Sequence, residues 1–441
     1  MAVSSIREDS GAKGVNGNQN DHTAAGAGAV YVYIRGARGW EQQAYLKASN
    51  AEGADAFGSS LSISADGNTL AVGANGEGSS ATGVNGNQGD NSMPGAGAVY
   101  IFMRVSAKWT QSAYLKASNT GETEDGDQFG YSVSLSGDGK TLAVGAIAED
   151  SGATGINGSG ADNSVPESGA AYVFTNAGST WSQQAYVKPW NTTARGALFG
   201  YSVGLSDDGN TLAVGAYDED GGKGAVYAFA RKDGKWSQQL RLVASNAERG
   251  DSLGCALAIS ADGNTILAGA FDEDALLAGI QSPGMGANDE KDDSSVGAAY
   301  VFVRSGGKWS QEAYMKAFNS RVNDQFGWAV AISRDGNTVA VGSHLEDSKA
   351  TGLNGDQTDA SAEDSGAVYV YTRDNGKWTP AAYVKAPNTK ESAEFGISVA
   401  LNADGKVLAV GATKEDSGGM GVNPKATTSE IKDSGAAYVY Y

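Results

Sequence analysis

Residues 129–191 read FGYSVSLSGDGKTLAVGAIAEDSGATGINGSGADNSVPESGAAYVFTNAGSTWSQQAYVKPWN, and most of the remaining chain repeats this stretch. Apolar and polar side chains alternate in four short segments, at 131–135, 141–146, 170–174 and 181–188. Alternation with period two, in segments rich in Val, Tyr, Phe and Thr, is typical of half-buried β-strands. The first two segments are separated by SGDGK, and Asp-Gly tolerates the positive φ of a tight hairpin. The stretch therefore predicts a four-stranded antiparallel meander.

The same unit recurs along the whole chain. A Phe-Gly or Leu-Gly pair precedes the first strand six times, at spacings of 54 to 73 residues. The second and third strands each recur seven times, and the fourth, which begins with tryptophan, recurs six times. The first copy lacks a first strand, and the last copy lacks a fourth. We predict one domain over residues 1–441, with units at approximately 1–50, 51–119, 120–191, 192–246, 247–319, 320–388 and 389–441.

Four strands per unit and a period of about 70 residues favour a β-propeller over a solenoid. No segment carries a sustained apolar stripe with a period of 3.6 residues, which excludes stacked helix pairs. We predict an all-β, seven-bladed propeller with four-stranded antiparallel blades; a six-bladed ring is the alternative. The fourth strand, with Trp109, Tyr114 and Lys116, is predicted to form the outer rim and to keep its ammonium group in water.

Composition limits the class of partner. The formal net charge is −19 and the pI is near 4.5, so we expect neither nucleic acid nor an anionic membrane as a partner. The one cysteine, Cys255, lies at an apolar position of a predicted strand, which indicates a buried small side chain. No apolar run is long enough for a membrane-spanning helix, and residues 1–8 lack the apolar core of a secretion signal. The acidity suits a secreted or cell-surface protein, and the oligomeric state stays open.

The repeat resembles the FG-GAP repeat, the blade unit of integrin α-chain propellers and of bacterial integrin-like surface proteins. Phe129-Gly130 corresponds to the FG element and residues 142–146 to the GAP element, with Ile147 where integrins have proline. The resemblance covers essentially the whole chain and implies a propeller, a fold that hosts adhesion, lectin, lyase and scaffold functions alike. Integrin-type repeats often carry a calcium motif of several aspartates between the first two strands. Here that loop, 136–141, has one carboxylate, whereas calcium takes about six to eight oxygen ligands.

Acidic residues recur instead in the loop after the second strand. Glu-Asp pairs occur there in six units, and in three of them Asn-Gly and a further Asp follow. Carboxylates, Asn side chains and the carbonyls of flexible glycine segments are hard oxygen donors, so we predict calcium as a cofactor on one rim. The alternative is that the same residues form Asx-turns. The candidate metal ligands are Glu8, Asp9, Asn16, Asp21, Glu149, Asp150, Asn157, Asp162, Glu346, Asp347, Asn354 and Asp359.

The sequence gives little support for catalysis. His22 and His344 lie in different units at different repeat positions, and neither has a recurring Ser-Asp partner. No nucleophile elbow, P-loop or His-Glu-x-x-His motif is present. We therefore predict no catalytic residues and no organic cofactor. Units that deviate from the repeat supply the candidate ligand-binding residues, which are Leu276 and Leu277 in an apolar loop and Trp190 beside a proline.

These observations predict a non-catalytic recognition or adhesion module, extracellular or on the cell surface, that binds a protein or glycan. Loops of variable length on a constant scaffold are typical of binding. A polysaccharide-degrading propeller enzyme with a site in its central channel is the first alternative. A structural spacer with ligand-free loops is the second.

Overall fold

The chain folds as an all-β propeller of seven antiparallel blades, one for each predicted unit. The computed structural model describes residues 1–120, 126–178, 180–191, 195–284, 294–423 and 431–441. Residue 192, the predicted start of the fourth unit, lies outside these ranges. The chain divides into two compact units. The first contains Met1–Val214 and Phe229–Gln239, and the second contains Gly215–Ala228 and Leu240–Tyr441.

Blades are numbered here in chain order, and their strands in the order in which they follow one another. Blade 1 has Ala2–Ser5, Ala29–Gly36 and Gly39–Leu46. Blade 2 has Leu61–Ile63, Thr69–Ala74, Ala98–Val105 and Lys108–Leu115. Blade 3 has Phe129–Leu135, Thr141–Ala146, Ala170–Asn176 and Trp181–Val187. Blade 4 has Val203–Leu205, Thr211–Ala216, Ala225–Lys232 and Lys235–Leu242.

The remaining blades follow the same order. Blade 5 has Leu257–Ile259, Thr265–Ala270, Ala298–Ser305 and Lys308–Met315, with a short extra strand, Ile280–Gln281, on its outer edge. Blade 6 has Ala329–Ile332, Thr338–Ser343, Ala367–Asp374 and Lys377–Val384. Blade 7 has Phe395–Leu401, Leu408–Ala412 and Ala436–Tyr440. A helical segment, Glu219–Gly222, is only four residues long and includes left-handed Asp220, so it is in effect a turn.

Most predicted strands are confirmed, and blades 1 and 7 have three strands, as the repeat count predicts. The first strand is the least regular. In blades 2, 4, 5 and 6 its regular part begins several residues after the Phe-Gly or Leu-Gly pair. The glycine of that pair has φ near 100° in all six blades that contain it (for example Gly58, φ 100, and Gly130, φ 93), and such a residue interrupts the extended backbone. In blades 3 and 7 the strand includes the pair, and its register shifts there.

The Asp-Gly hairpins are also confirmed. In blade 3, Asp138 Oδ1 accepts hydrogen bonds from the Lys140 N–H at 3.0 Å and from Ser136 Oγ at 2.7 Å. Ser136 Oγ in turn accepts the Thr141 N–H at 2.9 Å. The single carboxylate of this loop therefore holds an Asx-turn, which closes the hairpin.

The hydrophobic core lies between neighbouring blades. One buried cluster joins Val99 and Leu115 of blade 2 to Phe129 and Val144 of blade 3, and a similar one joins blades 5 and 6. The phenylalanine of a Phe-Gly pair lies in each of these two clusters, Phe129 in the first and Phe326 in the second. The Phe129 ring, for example, packs edge-on against Tyr172, with the ring centroids 5.3 Å apart.

Glycine is required where the second strand of one blade meets the next blade. A Cβ on Gly145 would lie 1.9 Å from the carbonyl oxygen of Gly200, and one on Gly269 would lie 1.9 Å from that of Gly327. Both contacts are with backbone, which cannot move aside as a flexible side chain can. The glycine before the last alanine of the second strand therefore fixes how closely these consecutive blades approach.

Replacement of Gly145 by alanine tests this close approach. We expect Gly145→Ala to lower the free energy of unfolding by about 3 kcal/mol, at the upper end of typical overpacking costs, because the blades must separate to admit the methyl group. Urea unfolding followed by tryptophan fluorescence measures the change. Gly89→Ala is the control, since the atom nearest to its Cβ, Asn87 Oδ1, is at an ordinary 3.6 Å. Equal stability of the two variants would contradict the expectation.

Candidate functional site

We call the segment between the second and third strands of each blade the acidic loop. The seven acidic loops are 6–28, 75–97, 147–169, 217–224, 271–297, 344–366 and 413–435. Because consecutive strands are antiparallel, these loops leave their blades at the edge where the first strand begins. They contain all twelve residues predicted to bind calcium.

The glutamate near the start of the acidic loop is buried and paired with a lysine of the same blade. In blade 3 the carboxylate of Glu149 lies 2.9 Å from Lys188 Nζ, and both side chains are almost fully buried. In blade 4, where the lysine is replaced, Glu219 pairs with Arg241 at 3.0 Å. The equivalent lysine pairs are Glu8–Lys47, Glu77–Lys116, Glu273–Lys316 and Glu346–Lys385.

Further donors complete the environment of each glutamate. Glu149 Oε1 accepts hydrogen bonds from Tyr186 Oη at 2.7 Å and from Asn119 Nδ2 at 3.0 Å. Oε2 also accepts the Ser151 N–H at 3.2 Å. Asn119 belongs to the segment after blade 2, so the glutamate joins the acidic loop, the fourth strand and the preceding blade. We call the buried glutamate with its lysine or arginine, tyrosine and asparagine the glutamate hub.

The location of the lysine corrects the prediction that the ammonium group stays in water. The side chains of Lys116 and Lys188 are wholly buried. Burial lowers the pKa of both ammonium groups, and the neighbouring glutamate charge opposes that shift. The missed signal is the Tyr-x-Lys pair at the end of the fourth strand, which accompanies a Glu in the loop of the same unit five times.

The other predicted metal ligands hold the shape of the loop. Asp150 Oδ1 accepts the N–H of Glu167 at 2.8 Å, which fixes the far end of the loop. Asn157 has φ 58, and its Oδ1 accepts the Tyr186 N–H at 3.0 Å. Asp162 forms an exposed Asx-turn with the N–H of Ser164 at 3.0 Å. The equivalent acceptors in blades 1 and 6 are Asp9, Asn16, Asp21, Asp347, Asn354 and Asp359.

The structure thus brings Glu149 together with a lysine, while Asp150, Asn157 and Asp162 have separate backbone partners. Over the described parts of the chain, no group of three or more His, Cys, Asp or Glu side chains is placed to hold a metal ion. A calcium ion bound to the glutamates would have to displace the lysines, so the donor set as folded does not fit that ion. These contacts do not test calcium binding in solution, and it stays a prediction.

The predicted ligand-binding residues lie outside the glutamate hubs. The side chains of Leu276 and Trp190 are 65% and 54% exposed, and Leu277 is half-buried. The Trp190 N–H donates to Gln238 Oε1 at 3.0 Å, which positions the backbone and leaves the indole ring at the surface. Leu276 and Trp190 belong to different compact units, so we treat them as separate surfaces.

The two histidines have different environments. His22 is exposed, whereas His344 is buried against Trp328, with the ring centroids 4.4 Å apart. Burial lowers the pKa of His344 to about 4, so its imidazole is neutral at pH 7. Trp328 also packs against Phe271, with the ring centroids 4.9 Å apart.

Comparison with known families gives the class of this protein. The model of the FG-GAP repeat matches residues 40–102, 109–174, 181–229, 236–302 and 309–371, more than half of the chain. The chain therefore belongs to the FG-GAP repeat family. A comparison with curated protein sequences found no match. The described residues contain no helix long and apolar enough to cross a membrane.

Solved structures similar to this chain include two propellers named as lactonases. One is a periplasmic gluconolactonase, PpgL, from Pseudomonas aeruginosa, with 16% identity, a TM-score of 0.49, and coverage of 100% of this chain and 98% of the other. The second is a putative 6-phosphogluconolactonase from Bacteroides uniformis, with 12% identity, a TM-score of 0.47, and coverage of 93% and 94%. Similarity at this level does not indicate a shared function.

The buried ion pair yields a stability prediction. We expect Lys188→Met to lower the free energy of unfolding by about 3–5 kcal/mol, because Glu149 would stay buried without a cation. The double variant Glu149→Gln/Lys188→Met should recover part of this loss. The control is Lys223→Met, because Lys223 forms a partly exposed pair with Asp220 at 3.5 Å and should contribute no more than about 1 kcal/mol. Urea unfolding measures the free energy of unfolding of all three variants. Equal losses for Lys188→Met and Lys223→Met would contradict a stabilising role of the buried ion pair.

A second prediction concerns pH. Burial and nearby glutamate charge raise the pKa of Asp55 and Asp251 to about 7 and that of Asp324 to about 8. An unfolded aspartate titrates near 4. Between about pH 4 and 8 the folded chain therefore holds more protons, and the free energy of unfolding falls as the pH rises. We expect a lower melting temperature at about pH 8 than at about pH 5, measured by thermal unfolding.

Two single variants assign that pH dependence. Asp324→Asn should reduce the decrease in melting temperature, because one of the three titrating carboxyls is removed. Asp335→Asn in the same blade should leave the decrease unchanged, because hydrogen bonds from Ser333 and Asn337 lower the pKa of Asp335. Identical pH profiles for Asp324→Asn and the unmodified chain would show that this carboxyl is not responsible.

Proposed function

We propose that this FG-GAP propeller is a non-catalytic recognition module, extracellular or on the cell surface, that binds a protein or a glycan through its acidic loops. The proposal rests on the difference between the two parts of each acidic loop, a constant start and a variable remainder. A pair of a glutamate with a lysine or an arginine fixes the start of the loop in six blades, whereas the rest of the loop differs in length and side chains. A constant base with variable extensions is the arrangement that binding proteins use.

Blades 3, 4 and 5 illustrate the variation. The acidic loop of blade 3 covers residues 147–169, and that of blade 4 only 217–224, although both have the glutamate and its cation. In blade 5 the loop places Leu276 at the surface, at the position that Gly152 occupies in blade 3. Exposed apolar side chains on a loop are a feature of contact surfaces. Leu276, Leu277 and Trp190 are therefore our candidates for ligand contact.

In the arrangement that we propose, the lysines supply the positive charge inside the loops and calcium is not required. The proposal therefore expects binding to be unaffected by a chelator. The calcium dependence predicted from the sequence is the competing expectation, and it requires the aspartates of the loops to acquire metal-ligand geometry on binding. Measuring binding in the presence of a chelator distinguishes the two expectations.

The enzyme alternative requires a unit with chemistry that the other units lack. The most distinctive titratable side chain is His344, which is neutral and buried beside Trp328. The carboxylates of the glutamate hubs already accept hydrogen bonds from lysine, tyrosine and asparagine. This arrangement supports a binding role over catalysis, and product release from polysaccharides separates the two.

We test the proposal by retention of the chain on immobilised cellulose, chitin, pectin and denatured collagen. We expect retention on at least one surface, reduced about tenfold or more by Leu276→Ser or Trp190→Ser, with the melting temperature unchanged because both side chains are exposed. Val105→Ser is the control, since Val105 is 68% exposed but lies at the opposite edge of its blade.

Other outcomes would contradict the proposal. Retention on none of the four surfaces, or release of reducing ends in proportion to the amount of protein, would count against a non-catalytic binder. An unchanged retention of both loop variants would place the binding surface elsewhere. Each measurement is repeated in EDTA and in millimolar calcium, and loss of retention in EDTA that calcium restores would establish the cation dependence predicted from the sequence.

A further inference from the structure

In five blades the acidic loop also covers the outer edge of the fourth strand. In blade 3 the Asn157 N–H donates to the Tyr186 carbonyl at 2.8 Å, and the Lys188 N–H donates to the Gly155 carbonyl at 2.9 Å. We call the three loop residues that cover the strand in this way the edge segment. The edge segments of blades 1, 2, 3, 5 and 6 are 14–16, 83–85, 155–157, 279–281 and 352–354.

The edge segment has a constant sequence, which is glycine, an aliphatic residue and asparagine in four blades and Gly-Ile-Gln in blade 5. The aliphatic side chain packs against a buried core cluster, as Val15, Val84 and Ile280 do. The asparagine has φ between 52° and 58° in blades 1, 2, 3 and 6, a conformation that asparagine tolerates better than most residues. Its side chain also accepts a backbone N–H of the fourth strand, from Tyr186 to Asn157 Oδ1 at 3.0 Å in blade 3.

Blade 4 has no edge segment. Its acidic loop, 217–224, lies wholly within the described residues and is the shortest of the seven. The loop turns straight back to the third strand, with the Gly224 N–H donating to the Glu219 carbonyl at 3.0 Å. The fourth strand is the last strand of its sheet. In the described parts of the chain, no backbone group pairs with the outer side of this strand at Arg241 or Val243.

Apolar side chains are exposed beside this open edge. Leu240 and Val243 are 39% and 40% exposed, whereas the corresponding Ala185 and Lys188 of blade 3 are 2% and 0% exposed. Arg241 supplies the charge that pairs with the glutamate of this loop, so no lysine is required at the position of Val243. A strand edge with open main-chain groups and exposed aliphatic side chains is a template for one more strand.

We propose that the outer edge of blade 4, at residues 240–243, binds an extended peptide segment of another protein with the sequence glycine, aliphatic residue, asparagine. The segment takes the place that the edge segment has in five other blades. Its asparagine N–H donates to the carbonyl of Arg241, and its glycine carbonyl accepts the N–H of Val243. The site is separate from the side chains proposed above for ligand contact, and it does not depend on the function proposed there.

The chemistry of the edge selects the occupant. Pairing along a strand needs alternating N–H and C=O groups, which a peptide backbone supplies and a glycan does not. The five edge segments of this chain are already paired with their own blades, so a second copy could offer one only by opening its own blade. A segment of a different protein is therefore the occupant that fits.

The test uses the whole chain and a fluorescent peptide with the sequence of residues 153–160, ATGINGSG. We expect saturable binding by fluorescence anisotropy, together with a higher melting temperature of the chain. The same peptide methylated on the backbone nitrogen of its asparagine should bind about tenfold more weakly, because it cannot donate to the Arg241 carbonyl. A peptide of scrambled sequence should not bind.

Variants of the chain locate the site. Val243→Pro removes the outward N–H, a change that an edge strand tolerates, and should weaken binding about tenfold or more. Val243→Ala keeps the N–H and is the matched control, with an expected change within about threefold. Should Val243→Pro fail to fold, the comparison of the two peptides on the unmodified chain still decides.

Three results would each overturn the proposal. The first is the absence of saturable binding of the unmodified peptide. The second is equal binding of the N-methylated peptide, which would show that main-chain pairing is not used. The third is unchanged binding to Val243→Pro, which would place the peptide at an edge other than that of blade 4.

Discussion

The buried pair of a glutamate and a lysine is the interaction on which the rest of each blade depends. A carboxylate removed from water is tolerated only when charge and hydrogen bonds compensate it. In blade 3, Lys188, Tyr186 and Asn119 meet this requirement together. Because they come from the fourth strand and from the preceding blade, satisfying one carboxylate also fixes the acidic loop, the outer strand and a contact between blades.

This arrangement explains how the acidic loops combine a rigid base with variable extensions. In this chain the ammonium group of a lysine lies at the base of the acidic loop, paired with the glutamate. The aspartates beyond the glutamate are then available to cap backbone N–H groups, as Asp150 does for Glu167. Changes of length and sequence farther along the loop leave the hub intact, and the loop of blade 4 is the clearest case.

Membership of the FG-GAP family establishes the fold. It does not specify an activity, which has to be inferred from individual side chains. The features specific to this chain are the wholly buried lysines, the neutral His344 and the exposed Leu276 and Trp190. The first stabilise the blades, and the last two are the side chains that we propose for contact with a partner.

The sequence by itself determined the strands, the repeat and the family, because alternation of side chains, Asp-Gly turns and the Phe-Gly pair are local signals. It also located the acidic loops and the exposed Leu276 and Trp190. The partner of the glutamates was decided only by the tertiary structure. Glu149 and Lys188 are 39 residues apart. The sequence does not indicate which lysine pairs with which carboxylate in the folded chain. For the same reason the lysine was expected in water, although folding places it in the most buried part of its blade.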